Sequence, residues 1–514
     1  MIQMNVFKFS LRCLAYGMLF IGLVSFQPDP TPKGRSAKPN ILWIIAEDLS
    51  PFMGCYGDSI NEGHTPVIDR LASEGVLFKR AYATAPVCSP SRSALITGIM
   101  QTTTGTHEHR SSRTYDGEIV PEALRIHLPQ AVKTIPELMR QAGYFTFNDG
   151  KDDYNFHYDR NSLYTVGSKK NYVAGMNGWQ GNWPETLSLT TREWNKRKSK
   201  DQPWFGQIQV MGGKGHGESV REGEKLKKDA LKPPPYFPDI PSQRAAWTDH
   251  YNANRGTDAD IEVILKELEK DGELENTIIF FFSDHGSNAS LRHKQLCYEG
   301  GMLVPLIING RHPAIQNGSV REDLVSLLDV SATTLALAGV SLPAYLDGQN
   351  LLDKNTAERK YIVGARDRCD YTIDRIRTVV SKNFRYIRNY FPERPRLQAG
   401  YRDNLPIVKD LKEARDKGRL TPYQEQHWFG PKEVEELYDL KKDPLQMNNL
   451  ASIPRYQQLL EEHRKVLEDW IKKTDDKGQY PESKLQLKAT YDLWKDRPIF
   501  KNAIVNPEYD EFKK

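Results

Sequence analysis

The chain has 514 residues, of which 39% are hydrophobic, 10% aromatic and 27% charged, with 36 glycines and 31 prolines; this ordinary globular composition excludes collagen-like and intrinsically disordered chains. Its length suits an enlarged α/β core, or one large domain with a smaller companion. The 71 Lys+Arg against 67 Asp+Glu leave a formal net charge of only +4, too small for a polyanion-coating protein, so no nucleic acid partner is expected.

In chain order, Lys8 and Arg12 precede an apolar run from Cys13 to Val24, followed by small and polar residues near Ser25 and by Pro28, Pro30 and Pro32. This reads as a secretory signal over residues 1–27, so the protein is expected to be exported to the periplasm or beyond the cell. The run is roughly half the ~20 residues of a spanning helix, and no stable membrane span is expected. The five cysteines, Cys13, Cys55, Cys88, Cys297 and Cys369, are too scattered for a disulfide framework or a zinc pattern.

Beyond a Pro-rich linker, residues 40–46 (NILWIIA) and 277–282 (TIIFFF) are continuous apolar runs, as expected of parallel strands buried on both faces. Residues 144–147 and 205–211 are weaker strand candidates. Helical patterns at 65–74, 135–142, 258–268 and 324–338 supply crossovers, which makes the fold α/β. The first strand runs into Glu47-Asp48, the second candidate into Gly150-Lys151, the third into Gly212-Gly213-Lys214-Gly215-His216, and the last into Ser283-Asp284-His285-Gly286. Ligands of open α/β sheets bind beyond the carboxyl ends of parallel strands, so these polar groups should crowd one rim. After about residue 360 the texture changes to antiparallel strands at 376–381 and 384–389 and an amphipathic helix around 457–472. The expected organisation is a catalytic domain over 38–360 and a smaller C-terminal one over 361–514.

The most specific pattern is Cys88-Ser89-Pro90-Ser91-Arg92, continued by Thr97-Gly98. Taken alone, a lone Cys before a helix is most often a buried structural thiol. The pattern resembles the type I sulfatase signature Cys-x-Pro-x-Arg with a downstream Thr-Gly, matched at every fixed position. Further stretches resemble that family in family order: Pro39-Asn40-Ile41-Leu42 through Glu47-Asp48, Gly143-Tyr144-Phe145-Thr146 to Gly150-Lys151, Ser283-Asp284-His285-Gly286 with Lys294 and Tyr298-Glu299-Gly300-Gly301, and Glu436-Leu437-Tyr438-Asp439-Leu440. The resemblance implies an alkaline-phosphatase-like fold with a mixed, mostly parallel sheet flanked by helices, and a C-terminal domain built on an antiparallel sheet and a helix. It also implies that Cys88 is oxidised by a formylglycine-generating, sulfatase-maturing enzyme to formylglycine. The hydrate of that aldehyde offers one oxygen to attack sulfur and a second hydroxyl whose deprotonation expels sulfate, whereas a plain Ser or Cys would be left esterified.

For metal, Glu47, Asp48, Asp284 and His285 stand at two strand ends, where paired carboxylates repel without a cation. The resemblance implies one calcium ion beside Cys88. Two departures from the commonest pattern are Glu47 in place of Asp and His285 in place of Asn, and hard calcium prefers oxygen to nitrogen. Arg92, Lys151 and Lys294 match the family cations that hold the formylglycine and sulfate oxygens. His216 is the candidate general acid for the leaving alcohol, with Lys214 as the alternative. Asp153 stands where many sulfatases have a histidine two residues after the lysine; His157 or a histidine of the Thr106-His107-Glu108-His109-Arg110 loop could take its place.

Substrate-binding candidates are His107, Arg366 and Arg368, together with the aromatics Trp179, Trp183 and Trp194, because aromatic faces pack on sugar rings and guanidinium forks grip carboxylates or sulfates. The stretch from Ala365 through Tyr390 looks like bacterial polysaccharide sulfatases of heparan or ulvan type. The expected activity is hydrolysis of sulfate esters on a polysaccharide or its oligosaccharides. A sulfamidase, a phosphonate or phosphodiester hydrolase, and a glycan-binding protein with an unmatured site are the alternatives.

Overall fold

A computed structural model of the protein describes residues 38–111, 124–166, 189–501 and 506–513. The signal expected over 1–27, and Trp179 and Trp183, lie outside the described residues. Before residue 340 the strands are β1 (Asn40–Ala46), β2 (Gly75–Phe78), β3 (Ala81–Tyr82), β4 (Phe145–Asp149), β5 (Trp204–Val210), β6 (Thr277–Ser283), β7 (Leu303–Val304), β8 (Leu306–Asn309), β9 (Ser319–Arg321) and β10 (Val325–Ser326). After it come β11 (Ile362–Arg366), β12 (Ile376–Val380), β13 (Phe384–Asn389) and β14 (Glu435–Asp439).

The main sheet runs β4-β5-β1-β6-β8-β2-β9. Its β4, β5, β1 and β6 are mutually parallel, whereas β8 is antiparallel to both β6 and β2. Alternate residues of β1 enter different cores. Ile41, Trp43 and Ile45 pack with Phe205, Phe280 and Phe282 on one face, and Leu42, Ile44 and Ala46 with Ile208, Ile279 and Phe281 on the other. A strand covered on both sides accepts a polar residue only where a partner satisfies it, as Glu273 does for Asn40, which is why the rest of β1 is continuously apolar. Each such side chain contributes about 1.5–3 kcal/mol through burial.

Two helical readings need correction. The segment expected at 258–268 is the end of a 30-residue helix, Pro241–Lys270. Its middle, residues 250–258, is largely polar by sequence yet buried, because partners elsewhere satisfy it: Arg255 donates to Asn61 Oδ1 (2.8 Å) and to the carbonyl of Ile60 (3.0 Å). The pattern at 324–338 divides into β10 and the helix Leu328–Leu337.

β11 to β14 form an antiparallel sheet in sequence order. The helix Gln457–Thr474 lays Leu460 and Leu467 on Val379, Tyr386 and Leu437 of that sheet. The residues just after β11 return to the main body, where the backbone N–H of His109 donates to the carbonyl of Arg368 (2.9 Å).

Candidate active site

Strand register assembles the site. Ala46 lies opposite both Val210 and Ser283, so Glu47-Asp48, the turn after β5 and Asp284-His285 leave the sheet side by side. β4 pairs with β5 through Asp149 and Ile208, which brings Lys151 to the same rim. Cys88 opens the buried helix Cys88–Thr97, so the positive end of the helix dipole meets the rim.

Around Cys88 the side chains are closely packed and almost fully buried. Its Sγ lies 3.2 Å from His285 Nε2, 3.3 Å from Lys294 Nζ and 3.7 Å from Asp48 Oδ1. Lys294 Nζ donates to both Asp48 oxygens (3.0 and 2.8 Å), and His285 Nε2 is 3.0 Å from Asp48 Oδ1. Arg92 donates from Nε to Asp284 Oδ2 (2.9 Å), from Nη1 to Gln209 Oε1 (2.9 Å), and from Nη2 to Glu47. The other Glu47 oxygen accepts from Lys151 (2.9 Å) and Lys214 (2.8 Å).

The charges decide the protonation states. Burial alone would push the Glu47 carboxyl up, but Arg92, Lys151 and Lys214 outweigh it and hold the group at about 2. Burial likewise opposes ionisation of Asp48 and Cys88, and the lysines override it in both, leaving each well below its ordinary value. Asp284 goes the other way: burial, helped by Glu47, outweighs His285 and Arg92 and raises its carboxyl. His285 is raised to about 10, because Asp284 and Asp48 overcome its burial.

One ligand atom each of Asp48, Cys88, Asp284 and His285 lies within 4.8 Å of the others. The donor set fits a divalent cation. Asp284 is a buried carboxylate whose desolvation Arg92 and His285 do not fully offset. His285 Nδ1 lies 2.8 Å from the Gly286 carbonyl, so that nitrogen keeps its proton, and Nε2, which faces the carboxylates, is the nitrogen that becomes a ligand once the imidazolium loses its other proton. Glu47 stands beside this group with both oxygens taken by cations.

The sequence-predicted residues are thus brought together at Glu47, Asp48, Cys88, Arg92, Lys151, Asp284, His285 and Lys294. His216 is not. Its side chain is 61% exposed and lies 3.9 Å from Asp249, while Lys214 points inward. The cause is backbone approach: Gly212 (φ +52°) and Gly213 cross so close to Glu47 and Asp48 that a Cβ would lie 2.3 Å and 2.2 Å from their carbonyl oxygens. That crossing aims Lys214 at Glu47 and carries His216 out into solvent.

The substrate-binding candidates are committed elsewhere. Arg366 pairs with Asp374 (2.8 Å), and Arg368 grips Glu482 with Nε and Nη2 (2.7 and 2.9 Å), both buried. His107 Nε2 lies 3.6 Å from Glu108. Trp194 is core, stacked on Trp204 at 5.6 Å and donating to Asp271 (2.8 Å). His157 packs against His127 at 5.5 Å. Asp153 pairs with Lys151 (3.1 Å) and with both Nε and Nη2 of Arg110 (3.1 and 2.9 Å).

Sequence reasoning missed Gln209, Arg110 and Asp370. A polar Gln near the carboxyl end of an apolar strand is a usable signal for the first. The other two carry none, since their places depend on pairing between distant loops.

A family model described as Sulfatase matches residues 39–340. The chain is 34% identical over 467 residues to an ulvan-active sulfatase of Formosa agariphila, covering 87% of this chain and 77% of the relative. It is 27% identical to the N-sulphoglucosamine sulphohydrolase of Homo sapiens, covering 86% of this chain and 91% of that one. A solved structure described as a 2-O GAG sulfatase superposes with a TM-score of 0.60 at 22% identity, covering 87% and 94% of the two chains.

Proposed function

The chain belongs to the sulfatase family, and from that membership we propose that it is an exported enzyme that removes sulfate esters from a sulfated polysaccharide or its oligosaccharides, of ulvan or glycosaminoglycan type. It is a sulfatase by family; the substrate reading is supported by relatives named for ulvan and for glycosaminoglycan sugars. The alkaline-phosphatase-like fold expected from the sequence is the fold of its structural neighbours. No helix among the described residues is long and apolar enough to cross a membrane.

The single observation that carries the mechanism is Cys88, at the start of a buried helix, with His285, Lys294 and Asp48 within 3.7 Å of its sulfur. Its Sγ stands for the oxygens of the formylglycine that a maturing enzyme would install. The aldehyde supplies a hydrate, with one hydroxyl to attack sulfur and another to lose a proton. Calcium, held by Asp48, Asp284 and His285, would supply Lewis-acid polarisation of a sulfate oxygen. Arg92 fixes Glu47 and Asp284 in place through its fork. Lys151 and Lys294 present positive charge where the sulfuryl oxygens gain negative charge, in a site too dry for water to screen them. Lys214, at the rim and 20% exposed, replaces His216 as the group placed to reach the leaving oxygen.

The test is mass spectrometry of the Cys88 peptide from a host that matures sulfatases, together with sulfate release from ulvan oligosaccharides and a glycosaminoglycan panel. An aldehyde with sulfate release is expected. An unmodified thiol in that host and no release would leave the glycan-binding alternative.

A further inference from the structure

One buried imidazole beside the nucleophile has no role in the scheme above. His109 is 2% exposed; Asp370 Oδ1 lies 3.4 Å from its Nδ1 without forming an aligned hydrogen bond, and among the described residues Nε2 has no hydrogen-bond partner. A ring nitrogen, Cys88 Sγ and an Asp153 oxygen all lie within 4.8 Å of one another. A buried ring nitrogen left without a hydrogen bond is costly, so its position invites a ligand or a reacting group.

The surroundings narrow the choice. Asp153 cannot serve as a base, because Lys151 and Arg110 hold its carboxylate. Lys294 and Lys214 are held in the charged form by Asp48 and Glu47 and have no lone pair to offer, and Lys151 donates to Glu47. Two backbone contacts hold His109: its N–H donates to the Arg368 carbonyl (2.9 Å), and it forms a β-bridge with Cys369. The same segment turns at Cys369–Thr372, with reciprocal backbone bonds of 3.0 and 2.9 Å, and sets Asp370 Oδ1 3.4 Å from His109 Nδ1. A carboxylate at Nδ1 favours the tautomer with its proton there and leaves Nε2 as acceptor.

We propose that His109 is the base that releases sulfate from the nucleophile, and that Asp370, contributed by the segment after β11, is its positioning residue. The proposal rests on the formylglycine reading above. After attack on sulfur, the carbon of residue 88 carries one hydroxyl and one sulfate ester. His109 takes the proton of that hydroxyl; the O–H electron pair closes the C=O bond, the bond from carbon to the ester oxygen breaks, and sulfate leaves with that bond's electrons. Water then adds to the aldehyde, and the imidazolium returns its proton to solvent. No oxidant or reductant is needed.

The experiment uses the full chain, co-expressed with a formylglycine-generating enzyme, with the aldehyde at residue 88 confirmed by mass before assay. Parent, His109→Ala, His109→Gln and Asp370→Asn are mixed with 4-nitrophenyl sulfate or sulfated ulvan oligosaccharides, quenched, and the residue 88 peptide is weighed. For His109→Ala, steady turnover should fall by about 10²–10⁴-fold, the usual share of general acid–base catalysis. A burst of one product per enzyme should remain, the peptide should gain one sulfuryl group, and added imidazole should discharge it. Asp370→Asn should show the same adduct more weakly.

Unchanged turnover in His109→Ala overturns the proposal. So does lost turnover without the adduct, because attack and not release would then be affected. His109→Gln decides the matter in the same way if the alanine variant does not fold. A parent enzyme that carries the aldehyde but releases no sulfate from either probe refutes the sulfatase mechanism itself, and with it this step.

Discussion

Glu47 is the hub of the buried charges, and replacing it by glutamine measures what holds the site together. The variant keeps the size but removes the negative charge that Arg92, Lys151 and Lys214 share, and turns one of the two accepting oxygens into a donating NH2. The carboxyl falls from 4.5 to about 2 on folding, which is worth about 3 kcal/mol. Breaking a buried ion pair by removing one partner typically costs about 3–5 kcal/mol, so two routes give the same size of effect. For a unit spanning residues 36–514, the melting entropy scales to about 1 kcal/mol per degree, so Glu47→Gln should melt about 3 °C lower at pH 7. The assay is thermal melting by circular dichroism with chelator present, on a Cys88→Ala background so that maturation does not vary. The sign with pH follows from a depressed carboxyl: its stabilisation is complete above the unfolded value of 4.5 and is lost as pH falls toward about 2. The gap between parent and variant should therefore close as the pH drops through that window. A gap under about 1 °C at pH 7, or one that stays constant from pH 6 to pH 3, would refute the electrostatic reasoning.

Calcium at about one hundred times its dissociation constant should stabilise the protein by about 2.7 kcal/mol, and Asp284→Asn should abolish that rise in melting temperature together with sulfate release. Because His285 is raised to about 10 without metal, it is protonated at pH 7 and must lose that proton to become a ligand. Calcium titrations in two buffers of different ionisation enthalpy should show about one proton released per ion at pH 7 and none well above pH 10; a buffer-independent heat at pH 7 rejects this. Lys214→Ala should lower turnover by about 10²-fold or more while His216→Ala stays within a few-fold, and the reverse order would restore His216 as the acid.

Much of this site was legible because strand physics and site chemistry coincide at one place. A strand buried on both faces is forced to be apolar, so Asn40–Ala46 and Thr277–Ser283 announce themselves, and the acids that end them have to lie at the rim. What was not legible depends on how one backbone passes another. Lys214 and His216 are two residues apart on a glycine turn, and only the approach of Gly212 and Gly213 to Glu47 and Asp48 decides which enters the site. Trp194 looked like a sugar platform because its neighbours are polar, yet Trp204 and Asp271 close over it from other elements. Arg366 and Arg368 looked like grips for an anionic substrate, but Asp374 and Glu482 neutralise them from within the chain. His109 is the sharpest case. The sequence marks its loop as histidine-rich, and only the pairing with Arg368 and Cys369 turns one ring toward Cys88. The C-terminal segment thereby does more than pack against the catalytic core: its backbone holds a second imidazole beside Cys88, where the parallel strands bring His285 and, on the turn after β4, Asp153.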